Sequence, residues 1–190
     1  MTECKHINVK VTFERTGSTI AGTWRPNMAE RQASWETVVE FATRITLVPL
    51  RKNEGLLTEA LTSLFTVFTE VRGILRRNGP DVALDRRGEL SYALLAGHLL
   101  NQILRPVTAY WHPRLEQWLE TRPDGMGQLE REQEWPYHGD LFQLLTDIRE
   151  PLGGLAKVFA EASGSEEFLR AQLDNETRLY EQLRRQRVQG

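Results

Sequence analysis

Residues 57–80, LTEALTSLFTVFTEVRGILRRNGP, set Leu57, Leu61, Leu64, Phe68, Val71 and Leu75 in alternating steps of four and three residues. That spacing follows the 3.6-residue turn and lines one face of an α-helix with apolar side chains. Asn78-Gly79-Pro80 ends it, since glycine takes up the backbone conformation that closes a helix and proline cannot continue one. Burying each Leu or Phe contributes roughly 1.5 to 3 kcal/mol before entropy is counted. A stripe of this length must therefore face a core, and Phe68 is expected inside it.

Upstream, Asn27 and Glu30 have capping-box spacing, and Trp35, Val38, Ala42 and Ile45 recur at helical intervals up to Pro49. Downstream, a third helix is expected from about Gly88. One stripe comprises Leu90, Leu94, Gly97, Asn101 and Leu104, with Leu95, Leu99 and Ile103 beside it. Pro106 should bend or end that helix, because it lacks an amide hydrogen and clashes with the preceding turn. The pattern resumes through Trp111, Leu115, Trp118 and Leu119, and Pro113 suits the first turn of a new segment.

Residues 121–139 contain Pro123, Gly125, Gly127, Pro136 and Gly139 and read as an acidic loop with a short helical piece near Leu129 to Glu134. A fourth helix follows from Asp140 through Leu141, Leu145, Ile148, Leu152, Leu155, Phe159 and Ala162. Pro151 and Gly153-Gly154 should kink or loosen it. Ser165 can cap a final helix whose apolar positions, Leu169, Leu173, Tyr180 and Leu183, are sparser, so it either projects or docks on a partner.

At the other end, Ile7, Val9, Val11 and Phe13 alternate with polar residues as in a half-buried strand. Gly17 allows a turn, and Thr19 to Trp24 can return as a second strand. An isolated hairpin is marginal in water and must lie on the helices or pair further. The expected fold is therefore mostly α: a kinked four- to five-helix bundle with a short N-terminal β-hairpin. Its expected parts are residues 1–26, a tail and hairpin packed on the body; 27–164, the bundle; and 165–190, a C-terminal helix available to a partner.

A chain of 190 residues with 40% hydrophobic and 26% charged residues is long and apolar enough to fold as one domain. A net charge of -2 argues against nucleic acid and anionic membranes as general partners. No run is long and apolar enough to span a membrane, and the first ten residues lack the apolar core of a secretory signal. Cys4 is the single cysteine, which excludes an internal disulfide and fits the cytoplasm. Twenty arginines against four lysines fit the codon bias of a GC-rich bacterial genome.

The familiar catalytic spacings are missing: no phosphate-binding glycine loop, no Gly-x-Ser-x-Gly elbow, no His-Glu-x-x-His pair. His6, His98, His112 and His138 are far apart, and Pro136 separates Glu134 from His138. Neither an enzyme, a metal site nor a cofactor is expected. The informative cluster is polar residues within an apolar pattern: His98, Asn101 and Arg105, then Trp111, His112 and Arg114 beyond Pro106. Unpaired polar groups there are costly. Either Asn101, Arg105 and His112 satisfy carbonyls freed by Pro106, or Arg105 and His112 face an anion beside a stacking tryptophan. A second cluster, Arg72, Arg76 and Arg77 with Arg86 and Arg87 across the turn, complements a helix C-terminus or, converging with the first, forms an anion pocket.

Thr43-Arg44-Ile45, Arg76-Arg77-Asn78-Gly79-Pro80 and the run from Asn101 through Arg105-Pro106 to Trp111-His112-Pro113 resemble recurrent patterns in small uncharacterised helical proteins of actinobacteria. That resemblance implies a helical fold and, for members beside conflict or defence genes, an accessory or regulatory role; it assigns no catalytic residue. The leading expectation is a non-enzymatic interaction or regulatory module that self-associates or binds a protein partner through the hairpin edge, the acidic loop or the final helix. The alternative is a sensor of a small anionic or phosphate-bearing ligand at His98, Asn101, Arg105, Trp111, His112 and Arg114, with Arg72 and Arg76.

Overall fold

The computed structural model describes residues 6–44, 47, 55–84 and 88–187, with side chains at 176, 180 and 183–187 outside the description. The alternating segment forms β1 (Ile7–Phe13), whose four apolar residues are buried, antiparallel to β2 (Ser18–Trp24) with Ile7 opposite Trp24. A two-residue strand, β3 (Glu89–Leu90), adds to β2 in parallel, so the expected hairpin is a three-stranded sheet. Two residues are too few for a period-two pattern to register.

Helix α1 (Met28–Ala42) opens with the expected capping box: the Glu30 N–H donates to Asn27 Oδ1 at 2.8 Å, and the Asn27 N–H donates to Glu30 Oε2 at 2.8 Å. Glu30 is fully buried, and its Oε1 also accepts the Trp24 indole N–H at 3.2 Å and the Tyr92 amide at 3.1 Å. One carboxylate thus joins the end of β2 to the starts of α1 and α3, each bond offsetting the cost of its burial. Trp35, expected in the core, is 39% exposed and packs on Phe168 of the last helix, with ring centroids 5.2 Å apart. Ile45 and Pro49 lie outside the described residues.

Helix α2 (Leu57–Asn78) buries Leu57, Leu61, Leu64 and Val71 and adds Val67 and Ile74 to the same face. Phe68 and Leu75 are half-buried at its edge. Its N-terminus is capped from a distance: Glu132 accepts the Leu57 amide at 2.6 Å and the Thr58 amide at 3.3 Å.

The third expected helix is corrected in two ways. Pro106 neither ends nor interrupts it, and Pro113 lies inside a continuous helix. The chain runs from α3 (Tyr92–His98) through a π-helical stretch (Leu99–Leu104) into α4 (Arg105–Glu120). The wider turn, in which the Arg105 N–H reaches the Leu100 carbonyl five residues back, makes room for the Pro106 ring where an α-turn would clash. The buried face is Tyr92, Leu95, Ala96, Leu99, Leu100, Ile103, Leu104 and Val107. Leu94, placed by spacing on the buried stripe, is 56% exposed, and Asn101 is exposed as well.

The predicted helical piece in the loop is α5 (Gln128–Gln133). The fourth expected helix is two, α6 (His138–Asp147) and α7 (Arg149–Ser163), parting at Ile148 so that Pro151 falls in a first turn, where its missing amide costs nothing. Gly154 marks where β1 packs on α7: a Cβ there would meet the Val11 side chain at 3.4 Å, an ordinary contact. Helix α8 (Glu166–Arg187) starts directly after Ser165 and packs its first turns on α1 and α7. The buried residues of the sheet and of the helices up to Leu169 form one continuous core. The fold is mostly α, and among the described residues no helix is long and apolar enough to cross a membrane.

Candidate functional site

Because α4 continues unbroken, its turns decide which predicted site residues meet. Arg105 and Arg114 are about two and a half turns apart at 3.6 residues per turn, so they project from opposite flanks of the helix. The polar cluster read as one site is therefore two.

The first is the seam of α2 and α4. His112 packs on Phe65 with centroids 6.0 Å apart, its Nε2 lying 3.4 Å from Glu116 Oε1. Nearer the Pro106 turn, the guanidiniums of Arg72 and Arg105 each lie 5.9 Å from the centroid of Phe68. The arginine clusters of the two helices thus share one ring, a contact favoured by the ring's negative face. Arg72, Arg76 and Arg105 are exposed and have no carboxylate within ion-pair distance among the described residues, whereas Arg77 is paired with Glu36. Arg86 and Arg87 lie outside the described residues, as does Cys4.

The side chains of the remaining two residues, His98 and Asn101, make no hydrogen bond to Arg72, Arg105 or His112 among the described residues. The Asn101 side chain makes no hydrogen bond among the described residues, and no side-chain bond from Asn101, Arg105 or His112 reaches a carbonyl near Pro106; the π turn absorbs the proline in their place. His98 is half-buried, its Nε2 inaccessible and without a partner among the described residues. That burial lowers its pKa, because desolvation penalises the imidazolium.

The second site, on the other flank of α4, is aromatic. Trp111 stands edge-on to Trp135 at 5.8 Å, Tyr137 at 6.2 Å and Tyr110 at 5.0 Å, and Trp135 meets Tyr137 at 5.7 Å. Edge-to-face contacts of this kind add to the area each ring buries. Arg131 fastens α5 to α4: its guanidinium lies 3.6 Å from the Trp118 ring centroid and donates to Thr121 Oγ1 at 2.9 Å, while the Trp118 indole donates to the Arg131 carbonyl at 2.8 Å. Arg114 stacks 3.6 Å from the centroid of Tyr110 and donates to its carbonyl at 2.6 Å.

These contacts leave an open groove of about 390 Å³ between Arg114, Gln117, Trp118, Thr121, Trp135 and Tyr137. Tyr137 is 52% exposed and Tyr110 50%, so two phenol rings stand at the surface beside it. Sequence reading named Trp111 and Arg114 here but passed over Tyr110, Trp135 and Tyr137. The Trp135-Pro136-Tyr137 run inside an otherwise polar loop was the available signal. Around the rings the chain is acidic: Glu120, Asp124, Glu130, Glu134 and Asp140 are exposed, and Glu134 is 3.6 Å from Arg131. Among the described residues no group of three His, Cys, Asp or Glu is placed to hold a metal ion. No family model, no curated protein and no solved structure matches the chain.

Proposed function

We propose that the protein is an interaction module that uses the aromatic groove of α4 and the α5–α6 turn to hold a partner segment carrying a lysine or arginine beside an apolar residue. The observation that carries this reading is the groove itself, with Trp118, Trp135 and Tyr137 lining it and exposed carboxylates on the chain around it. Tryptophan, tyrosine and arginine are the residues on which binding energy concentrates at interfaces. The exposed Tyr137 ring attracts a cation, and Glu120 and Glu134, exposed and next in sequence to the lining residues Thr121 and Trp135, offset the one cation of the lining, Arg114. The aliphatic stem of the same side chain covers ring surface that water otherwise wets.

Selection of a displayed random-peptide library on the immobilised full chain tests it. Enrichment of basic residues next to apolar ones, lost when the selection is repeated on Tyr137→Ala, is expected. Enrichment of acidic peptides, or of the same peptides on Tyr137→Ala, overturns the reading.

A second reading rests on the shared Phe68 ring: Arg72 and Arg105, with no carboxylate partner among the described residues, bind a small phosphate-bearing ligand. Thermal shift with pyrophosphate as the probe separates the two, since this reading expects stabilisation that Arg105→Ala abolishes and Tyr137→Ala leaves intact.

A further inference from the structure

Trp135 is only 5% exposed, yet it lines the open groove. Its ring is held edge-on by Trp111 at 5.8 Å and Tyr137 at 5.7 Å. Its indole N–H makes no hydrogen bond among the described residues, and it is not one of their inaccessible unpaired groups. The small area that this side chain keeps open to solvent therefore includes its one polar atom. Elsewhere the protein uses such donors: Trp24 gives its indole hydrogen to Glu30, and Trp118 gives its own to the Arg131 carbonyl. A tryptophan buried to this degree normally has a partner for its N–H. Trp135 instead holds a fixed, unspent donor at a groove wall.

The rest of the lining narrows what can meet that donor. Arg114, like the indole, donates and never accepts. The lining comes from α4 and from the turn between α5 and α6, with no strand among them, so an extended segment finds no backbone edge to pair with. Arg114, Gln117 and Thr121 make half of the lining polar, a poor match to the apolar stripe of a docking helix. What fits is a segment with carbonyls to offer, few amide hydrogens to satisfy, and compact apolar rings to lay on aromatic ones. Polyproline II supplies all three: it has no internal hydrogen bonds, and proline has no N–H.

We propose that the apolar residue of the partner segment is proline, and that the groove takes a proline-rich stretch in polyproline II form with a lysine or arginine at one end. A backbone carbonyl of the segment accepts the Trp135 indole N–H, and proline rings pack on Trp118 and Tyr137. The basic side chain lies by the exposed Glu120, next to Thr121 at the groove's margin. Such a segment is already stiff when free, so little of what these contacts gain is lost in ordering it. This choice of partner presupposes the groove as the contact site, which the Tyr137→Ala arm checks by itself.

The probe is a synthetic peptide of eight prolines with an arginine at each end. The control carries alternating leucine and glycine between the same arginines, so it keeps the charge and apolar groups and loses the polyproline preference. Each is titrated into the full chain and followed by intrinsic tryptophan fluorescence. The proline peptide is expected to bind roughly tenfold more tightly than the control, the gain from a preorganised backbone, and to lose its affinity with Tyr137→Ala. In heteronuclear NMR spectra of the isotope-labelled chain, its binding should move the Trp135 indole proton downfield, as a new hydrogen bond does. The Trp24 indole, already bonded to Glu30, should stay in place. Trp135→Phe identifies the resonance by its loss. Equal affinity of the two peptides, both lost with Tyr137→Ala, would overturn the proline assignment and leave the groove as the contact site. Binding of the proline peptide undiminished by Tyr137→Ala would remove the groove itself. No binding of that peptide, or binding that leaves the Trp135 indole proton unmoved, would overturn the proposal.

Discussion

The carboxylate of Glu132 on α5 accepts the backbone amide of Leu57 at the first position of α2, at 2.6 Å, and both residues are buried. The Thr58 amide at 3.3 Å and the Thr58 hydroxyl complete the arrangement. The long amphipathic helix α2 thus takes its cap from a residue that arrives with the segment bearing the aromatic groove. Removing the carboxylate strands buried donors, so Glu132→Ala should cost about 2 to 3 kcal/mol. Glu132→Gln, which keeps an acceptor but not the charge, should cost less. Urea unfolding at neutral pH checks both, and an Ala variant as stable as wild type would refute the capping role.

Thr37 and Tyr92 tie α1 to α3 through hydroxyls 2.7 Å apart. The Thr37 hydroxyl has one hydrogen, and it is 2.9 Å from the Ala33 carbonyl that accepts it, so the Tyr92 O–H is the donor between them. Burial pushes the Tyr92 phenol well above its usual pKa, which keeps that proton in place. Tyr92→Phe should lose about 1 kcal/mol in the same unfolding measurement, with the fold unchanged by circular dichroism.

His98 makes stability depend on acid. Its folded pKa lies below the ordinary imidazole value because burial disfavours the cation, and its buried Nε2 has no partner among the described residues. The unfolded chain therefore binds the proton more readily than the folded one. Stability attributable to this residue is intact above the unfolded pKa and is lost as pH falls through the folded one. Unfolding midpoints measured at successive pH values below 7 should fall less steeply for His98→Gln than for wild type; parallel curves would show that this histidine does not titrate on unfolding.

Leu61 and Phe68 lie on the same predicted stripe but differ in burial: Leu61 is inaccessible, and Phe68 sits at the edge between Arg72 and Arg105. Leu61→Ala should cost about 2 to 5 kcal/mol, the range for a buried leucine that leaves a cavity. Phe68→Ala should cost less, because its ring is already part-solvated. Equal losses would contradict the edge position of Phe68.

The contrast also marks what was legible in the sequence. Stripes of Leu, Val and Ile report burial directly, so the helices and the strand alternation of Ile7 to Phe13 could be read, as could the Asn27–Glu30 capping box, whose partners are three residues apart. What could not be read depended on response to strain and on tertiary contact. Pro106 has the same sequence signature whether a helix breaks or widens, and the π turn from Leu99 to Leu104 keeps the axis going. Reading a break there made Arg105, His112 and Arg114 look like one cluster, when an unbroken helix sets Arg105 and Arg114 on opposite flanks. The aromatic groove needed Arg131 to bring α5 onto Trp118, a contact between residues of no shared periodicity.

The most direct test of the groove is the affinity of the basic peptide recovered by library selection for three forms of the full chain, followed by intrinsic tryptophan fluorescence. Tyr137→Ala is expected to bind at least about tenfold more weakly than wild type, the loss of a modest interface hot spot, while Arg72→Ala, on α2 beside the far flank of α4, binds as wild type and both keep the wild-type circular dichroism spectrum. Undiminished binding by Tyr137→Ala, or a loss confined to Arg72→Ala, would contradict the assignment of the groove as the contact site.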